Sequence, residues 1–226
     1  GDVDTDDLIM SWLDLKTFSN WSQLGGSVPR IAVNSGKCFA GNAVIFGCSD
    51  ITIATKNSNI GLAGPAMIAG GGLGDYLPED IGPTEIQGKN GVVDLVCDNE
   101  KEATQVAKNL LGIFQGNLKE FVNSDQRILR HIVPENRLKV YDMRIIINNL
   151  SDSGSVIELR KDFGVGIITS FIRIGGISFG LIANDPFILG GAIDAEAGEK
   201  ATKFLQLCDN FRLPVISLCD TPGFMV

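Results

Sequence analysis

The chain has 226 residues, 44% of them hydrophobic, enough to bury a sizeable core in one large domain or two modest ones. Its 27 glycines follow no period and no serine- or glutamine-rich run accompanies them, which excludes collagen and disorder. A formal charge of −8 argues against nucleic acid and anionic membranes as partners, and no run approaches the roughly 18 apolar residues of a membrane span.

Taken in chain order, GDVDTDD is acidic where a targeting peptide would be basic. Gly1 at one end and an apolar run cut off at Val226 at the other mark the chain as an excerpt from a longer one. Leu15, Phe18, Trp21 and Leu24 recur every three residues and predict a short helix over 14–24, stopped by Gly25 and Gly26. Pro29 opens RIAVNSG, a buried strand entering a turn at Asn34–Gly36. CFAGNAVIFG reads as a glycine-rich loop running into a buried helix, and DITIATKNSNIG as strand, turn, strand. AGPAMIAGGGLGDYLPEDIGP is too rich in glycine for regular structure and too apolar for a linker, which predicts a loop packed over a pocket. Its Gly70–Gly72 is a turn rather than a phosphate loop, since GxxxxGK[ST] is absent.

Asn99 with Glu102 forms a capping box, followed by a helix with an apolar stripe from Ala103 to Leu111 that ends near Gly112. The mixed, polar stretch from Gln115 to Asp152 reads as a connection between two domains. SVIELRKDFGVGIITSFIRIGGISFGLIAND then predicts antiparallel strands with a hairpin at Gly175 and Gly176. Asp194 caps a helix over DAEAGEKATKFLQLCDNF, and LPVISLCDTPGF repeats the proline-led strand and glycine turn seen near Pro29. The alternation favours α/β layers with sites at strand ends.

Cys38, Cys48, Cys97, Cys208 and Cys219 form no CxxC pair and fall mostly in apolar contexts, as reduced core thiols do. That usage fits the cytoplasm, or a mitochondrial matrix reached by a removed targeting segment. His131, the single histidine, stands away from any Ser or Cys elbow and reads as structural. Asp75, Glu79 and Asp80 show no metal-loop spacing, so no metal is expected. Arg30, Lys37 and Lys56 are candidates to meet cofactor phosphates, with ordinary solvated side chains the simpler reading.

The chemistry on offer at the glycine turns is that of the backbone, because small residues let main-chain N–H groups approach a ligand oxygen. At the bend Ala40, Gly41, Asn42, the Ala40 and Gly41 amides are candidate donors to a developing oxyanion, each worth roughly 3 kcal/mol in a dry site. The competing reading is a close helix-to-sheet contact that needs small residues. Asp220 in CDTPGF is either a catalytic acid or, more simply, an Asx turn that orders the Pro222–Gly223 bend.

GKCFAGNAVIFGCSDITIATKNSNIGLAGPAMI, VPENRLKVYDMR, FIRIGGISFGLIANDP and GGAIDAEAGEKATKFLQLCDNFRLPVISLCDTPGF together resemble the carboxyltransferase subunits of biotin-dependent acyl-CoA carboxylases, in that family's order and spacing over nearly the whole chain. The resemblance implies an α/β crotonase (ClpP-like) fold. The C-terminal part of one unit would occupy 1–125, a connection 126–152, and the N-terminal part of a second unit 153–226. It implies transfer of a carboxyl group from carboxybiotin to the α-carbon of an acyl-CoA thioester, with a biotin nitrogen as base, which removes the need for a histidine. The implied participants are biotin on a carrier domain, a coenzyme A thioester, and biotin carboxyl carrier and biotin carboxylase components. A second copy in a homo-oligomer would share the active site.

Carried over position by position, the Gly-Gly amides of the family's first oxyanion hole fall on Ala40 and Gly41, and Asn42 stands where the family often has alanine. Gly36, Lys37, Asn42, Gly64, Pro65 and Ala66 are expected around the thioester, and Gly223 and Phe224 in the DTPGF turn at the biotin-facing site. The partner glycine loops are expected outside this chain, which by itself would then be inactive. A biotin-linked decarboxylase subunit would run the same chemistry in reverse, and a catalytically inactive crotonase-like scaffold is the reading from another class. A plain enoyl-CoA hydratase or isomerase is disfavoured because no Glu follows Gly64–Pro65.

Overall fold

The structure, a computed structural model, describes residues 16–136 and 139–225. In its first half, β3 (Ile51–Thr55) is buried at all five positions, as a β-branched run covered on both faces must be. It pairs in parallel with β1 (Ile31–Asn34) on one side and β5 (Leu95–Cys97) on the other. A separate two-stranded parallel ribbon joins β2 (Lys37–Phe39) to β4 (Asn59–Gly61). The helices of this half are α1 (Thr17–Gln23), α2 (Gly41–Gly47), α3 (Pro65–Gly70), α4 (Thr84–Lys89) and α5 (Glu100–Phe114).

The second half begins with α6 (Met143–Leu150). Its sheet has the order β6 (Ile157–Leu159), β7 (Ile167–Ile174), β8 (Ile177–Asn184) and β9 (Val215–Leu218). The pairing is antiparallel except between β8 and β9, which are parallel because α7 (Ala195–Asn210) carries the chain back between them. β7 and β8 are joined at Gly175 and Gly176, with φ of 59° and 77°, the paired positive angles that a two-residue hairpin turn requires.

One core spans both halves. Ile51 and Ile53 of β3, Leu110 of α5, Phe171 of β7 and Phe204 of α7 are all buried in it. Phe171 packs edge-on against Phe114 with centroids 5.6 Å apart, and Phe114 meets Phe211 at 5.0 Å. A polar stitch runs beside this core: Arg160 N donates to Asp94 O at 2.8 Å, and Arg160 Nε lies 2.7 Å from Asp94 Oδ1. Burial raises the Asp94 carboxyl, Arg160 opposes that, and Thr52 N donates to Asp94 Oδ2 at 2.7 Å.

Several expected features are present. Asn99 Oδ1 accepts from Glu102 N at 3.0 Å, although the Glu102 carboxylate reaches back to Asp98 N rather than to the cap itself, and α5 runs past Gly112 to Phe114. Asp194 Oδ1 accepts from Ala197 N at 2.8 Å. The first helix is described from Thr17, so Asp14 and Leu15 lie outside the described residues. Cys38, Cys97 and Cys208 are buried, and burial pushes the Cys97 and Cys208 thiols up to about 11 and about 12; Cys48 and Cys219 are exposed.

Two segments are more regular than expected. Pro65 sits in the first turn of α3, where its fixed φ is preorganised and its missing N–H costs nothing, so the glycines follow a helix rather than replace it. Pro78–Asp80 adds a 3-10 turn to the same segment. Within 126–152, a 3-10 turn at Gln126–His131 precedes α6, whose Met143 and Ile147 are buried against Ile168, Ile172 and Leu181.

Lys200 of α7 is 1% exposed, and its Nζ has no hydrogen-bond partner among the described residues. Burial depresses its pKa to about 8; Glu158 opposes the shift, and Arg144 and Arg160 reinforce it. An unfolded lysine titrates near 10.4, so between about pH 8 and that value the unfolded chain binds more protons, and this group's contribution to stability rises with pH. The urea midpoint of the parent protein should therefore climb relative to that of Lys200→Met between about pH 8 and 10. Parallel pH profiles would show that Lys200 does not titrate there.

Candidate active site

β2 and β4 run side by side, Lys37 opposite Asn59 and Phe39 opposite Gly61, and each feeds a helix. β2 passes through Ala40 into α2, and β4 passes through Gly64 into α3. The two helix starts are packed together: a Cβ on Gly64 would lie 3.6 Å from the Phe39 ring. Gly36 opens the unit at φ 91°. Its N–H donates to Ser58 Oγ at 3.1 Å, and its carbonyl accepts from Asn59 N at 3.0 Å and Asn34 Nδ2 at 3.1 Å. Gly36 therefore shapes the turn with both backbone groups engaged.

At the bend, Ala40 adopts φ 53° and ψ −126°, which glycine reaches freely and alanine only under strain. Its N–H donates to Gly61 O at 3.1 Å, completing the β2–β4 ladder. The expected Ala40 donor is thus committed to the sheet. Gly41 and Asn42 are the first two residues of α2, so their N–H groups have no acceptor within the helix, and neither finds another among the described residues. Of the two expected donors, Gly41 is therefore unpaired among the described residues and Ala40 is not. A cavity of about 350 Å³ flanks this start, lined by Trp21, Asn34, Lys37, Cys38 and Asn42 among others. A Cβ at Gly41 would lie 3.1 Å from Phe18 Cζ, so α1 closes one side.

Each of the charged candidates has a carboxylate partner. Lys37 Nζ lies 2.8 Å from Glu79 Oε1, and that contact holds the Glu79 carboxyl below its usual range. Lys56 pairs with Asp98. Arg30 is neither a phosphate ligand nor a solvated side chain. Its guanidinium grips Asp50 through Nε at 3.0 Å and Nη2 at 2.8 Å, and donates to Trp21 O at 2.8 Å, tying α1 to the entrance of β3. At α3, Gly64 is the cap, Pro65 has no N–H, and the Ala66 N–H is among the helix's opening groups.

The second turn follows β9. Thr221, not Asp220, orders it: Gly223 N donates to Thr221 Oγ1 at 3.0 Å. The Asp220 carboxylate faces the other way and accepts from Tyr141 Oη at 2.7 Å. Burial, then that bond, push the Tyr141 phenol up to about 12. Ile193 N donates to Gly223 O at 3.0 Å and Met225 N to Ile193 O at 2.9 Å, which pins the turn on both sides of Phe224. Gly223 N–H is therefore engaged, while Phe224 N–H has no acceptor among the described residues and the residue is 80% exposed. No hydrogen bond or ion pair among the described residues joins this turn to the Ala40 bend.

An α/β chain with a strand-to-helix bend after β2 and a glycine turn after β9 is the class these features define. The carboxyl transferase domain family matches residues 15–226, and the chain belongs to that family. It is 32% identical over 212 residues to the methylmalonyl-CoA carboxyltransferase 12S subunit of Propionibacterium freudenreichii subsp. shermanii, a match covering 90% of this chain and 40% of that one. A solved single-chain, multi-domain long-chain acyl-CoA carboxylase superimposes with a TM-score of 0.95 at 54% identity, covering all of this chain and 23% of its own. The hexameric transcarboxylase 12S structure, with hydrolysed methylmalonyl-CoA bound, gives a TM-score of 0.81 at 30% identity over 92% of this chain and 43% of its own. The chain therefore spans less than half the length of each of these relatives. The family resemblance read from the sequence is borne out, as is the α/β class.

The strain at Ala40 yields a test. Glycine takes φ 53° without the penalty of about 1–3 kcal/mol that a side chain incurs there, and loses about 0.4–1 kcal/mol of that gain through a more flexible unfolded chain. Ala40→Gly should raise stability by about 1 kcal/mol, read as a higher denaturant midpoint at unchanged m. A lowered midpoint would show that the bend is not strained.

Proposed function

We propose that this chain is part of a carboxyltransferase that moves a carboxyl group to the α-carbon of an acyl-CoA thioester through an enolate held on backbone amides. The observation that carries the reading is the bend at Ala40, which ends one ladder and leaves the Gly41 and Asn42 N–H groups without an acceptor among the described residues at the start of α2. As the α-proton leaves, charge accumulates on the thioester oxygen. Preorganised N–H donors stabilise that charge more than the neutral carbonyl, and each is worth roughly 3 kcal/mol. Gly36 and Lys37 shape one lip of the site and Gly64, Pro65 and Ala66 the other.

Carboxybiotin delivered on a carrier domain would supply the carboxyl group and a ring nitrogen able to take the α-proton. The Phe224 N–H, on an exposed residue and without an acceptor among the described residues, suits a ureido carbonyl oxygen. Biotin carboxylase and carrier components, and a second copy completing the site, are the partners this reading requires. The division into crotonase-like units over 1–125 and 153–226 is supported by a shared pattern. α1 leads through Pro29 to β1, and α7 leads through Pro214 to β9, each strand parallel to its neighbour and each followed by a glycine turn. Strain retained at Ala40 favours an active site over an inactive scaffold, because a purely structural bend would be relieved by glycine.

The full-length protein should turn over at least one member of a series of malonyl-type CoA thioesters with free biotin as acceptor. Absence of both binding and turnover across the series would overturn the assignment. Replacing Gly41 with glycolic acid exchanges its N–H for an ester oxygen, and kcat should fall about 10²–10³-fold with KM little changed. An unaltered kcat would remove Gly41 from the site.

A further inference from the structure

The run Tyr141-Asp142-Met143-Arg144 lies outside both bends in sequence, and each of its side chains is committed. Asp142 Oδ1 accepts from Arg144 N at 2.9 Å and caps α6, while Met143 is buried under the sheet. Arg144 reaches Glu158 of β6 at 2.7 and 2.9 Å, and Asp185, just past β8, at 2.6 Å. Tyr141 reaches Asp220, just past β9, at 2.7 Å. β8 and β9 are neighbouring parallel strands, so these two contacts strap the sheet edge from which the 219–225 turn springs. Asp220 is tethered a second time, its N–H donating to Asn184 Oδ1 at 3.2 Å while Asn184 Nδ2 reaches Gly191 O at 3.1 Å.

We propose that Tyr141 is a positioning residue for the biotin-facing turn, acting through Asp220 to hold the Phe224 N–H where a ureido carbonyl is received. The assignment rests on the carboxyltransferase reading of that turn. A phenol–carboxylate bond is charge-assisted and stronger than the neutral bonds around it. The rest of the turn is held by the Thr221 hydroxyl, the backbone bridge to Ile193 and the Asn184 contact, with Phe224 and Met225 largely exposed. Releasing Tyr141 leaves the turn correctly placed for a smaller fraction of the time, and apparent affinity for the ligand falls by that fraction. The thioester side, on the other half of the molecule, is untouched.

The test uses the full-length protein carrying Tyr141→Phe, Asp220→Ala, both together, and Asp220→Asn. KM for free biotin should rise about tenfold in each of the first two, with KM for the acyl-CoA and Tm unchanged. The double variant should be no worse than either single one, because both break the same bond, and Asp220→Asn, which keeps an acceptor oxygen, should fall in between. A readout independent of turnover is amide hydrogen exchange without ligands, which should quicken about tenfold across 219–225 in Tyr141→Phe and stay constant in β7 and β8. Quickened exchange in a protein that turns over no thioester would keep the latch and sink the carboxyltransferase reading. Unchanged exchange, equal rises in both KM values, or a general loosening of β7 and β8 with a lowered Tm would overturn the positioning role.

Discussion

A backbone N–H inside a sheet or a helix is already paired, so a site made of amides has to fall between the last rung of a ladder and the first full turn of a helix. Here that interval is narrow. The β2–β4 ladder closes with Ala40 N on Gly61 O, and the first bond into α2 is Val44 N on Ala40 O at 3.1 Å. Between them lie Gly41, Asn42 and Ala43. The Gly36 turn, the parallel register of β2 with β4 and the packing of Phe39 under Gly64 all serve to fix where the interval lies. The strain at Ala40 is its consequence, since the chain has to end a ladder and enter a helix within one residue, and here it does so at a positive φ.

The second turn meets the same constraint by other means. Thr221 and Ile193 absorb the amides on either side of Phe224, and side chains from a different element hold Asp220. A helix start fixes the first bend, whereas hydrogen bonds and an ion-paired strap fix the second. Both bends stand on one frame, because the core around Leu110, Phe171 and Phe204 runs through both halves and Arg160 is bonded to Asp94 across them. Preorganised sites need this kind of support, since a donor misplaced by an ångström loses most of its effect.

Local signals were legible in the sequence and distant ones were not. Asn99, Asp194 and the Gly175–Gly176 hairpin act on residues two to four positions away, so their spacing was sufficient to place them. α6 was hidden because the polar stretch before it masks a stripe, Met143 and Ile147, that matters only once β7 and β8 lie beneath it. α3 was hidden because glycines crowd its end, although Pro65 in its first turn was the available clue. At the candidate site the region was legible from the family's segments and Gly41 was named as a donor, but the commitment of the Ala40 amide was not legible. That depends on Phe39 standing opposite Gly61, a pairing that no local pattern encodes. Arg30 was misread for the same reason, its partner Asp50 being a neighbour only after folding.

A site of this construction places its demands on backbone geometry rather than on side-chain identity. The residues near position 40 must be small enough for the bend and for close approach to Phe18 and Phe39, yet several small residues meet that condition. This accounts for a chain that carries alanine at a position where glycine would be unstrained. The side chains that do matter are the ones that fix strand ends: Arg30 on Asp50, Arg144 on Asp185, Tyr141 on Asp220. Lys37 and Lys56 are paired with carboxylates and the chain carries a net charge of −8, so under the proposed function an anionic thioester would be met by oriented dipoles. Such dipoles act over a few ångströms and long-range attraction adds little, as the proposed discrimination of a transition state from its substrate would require.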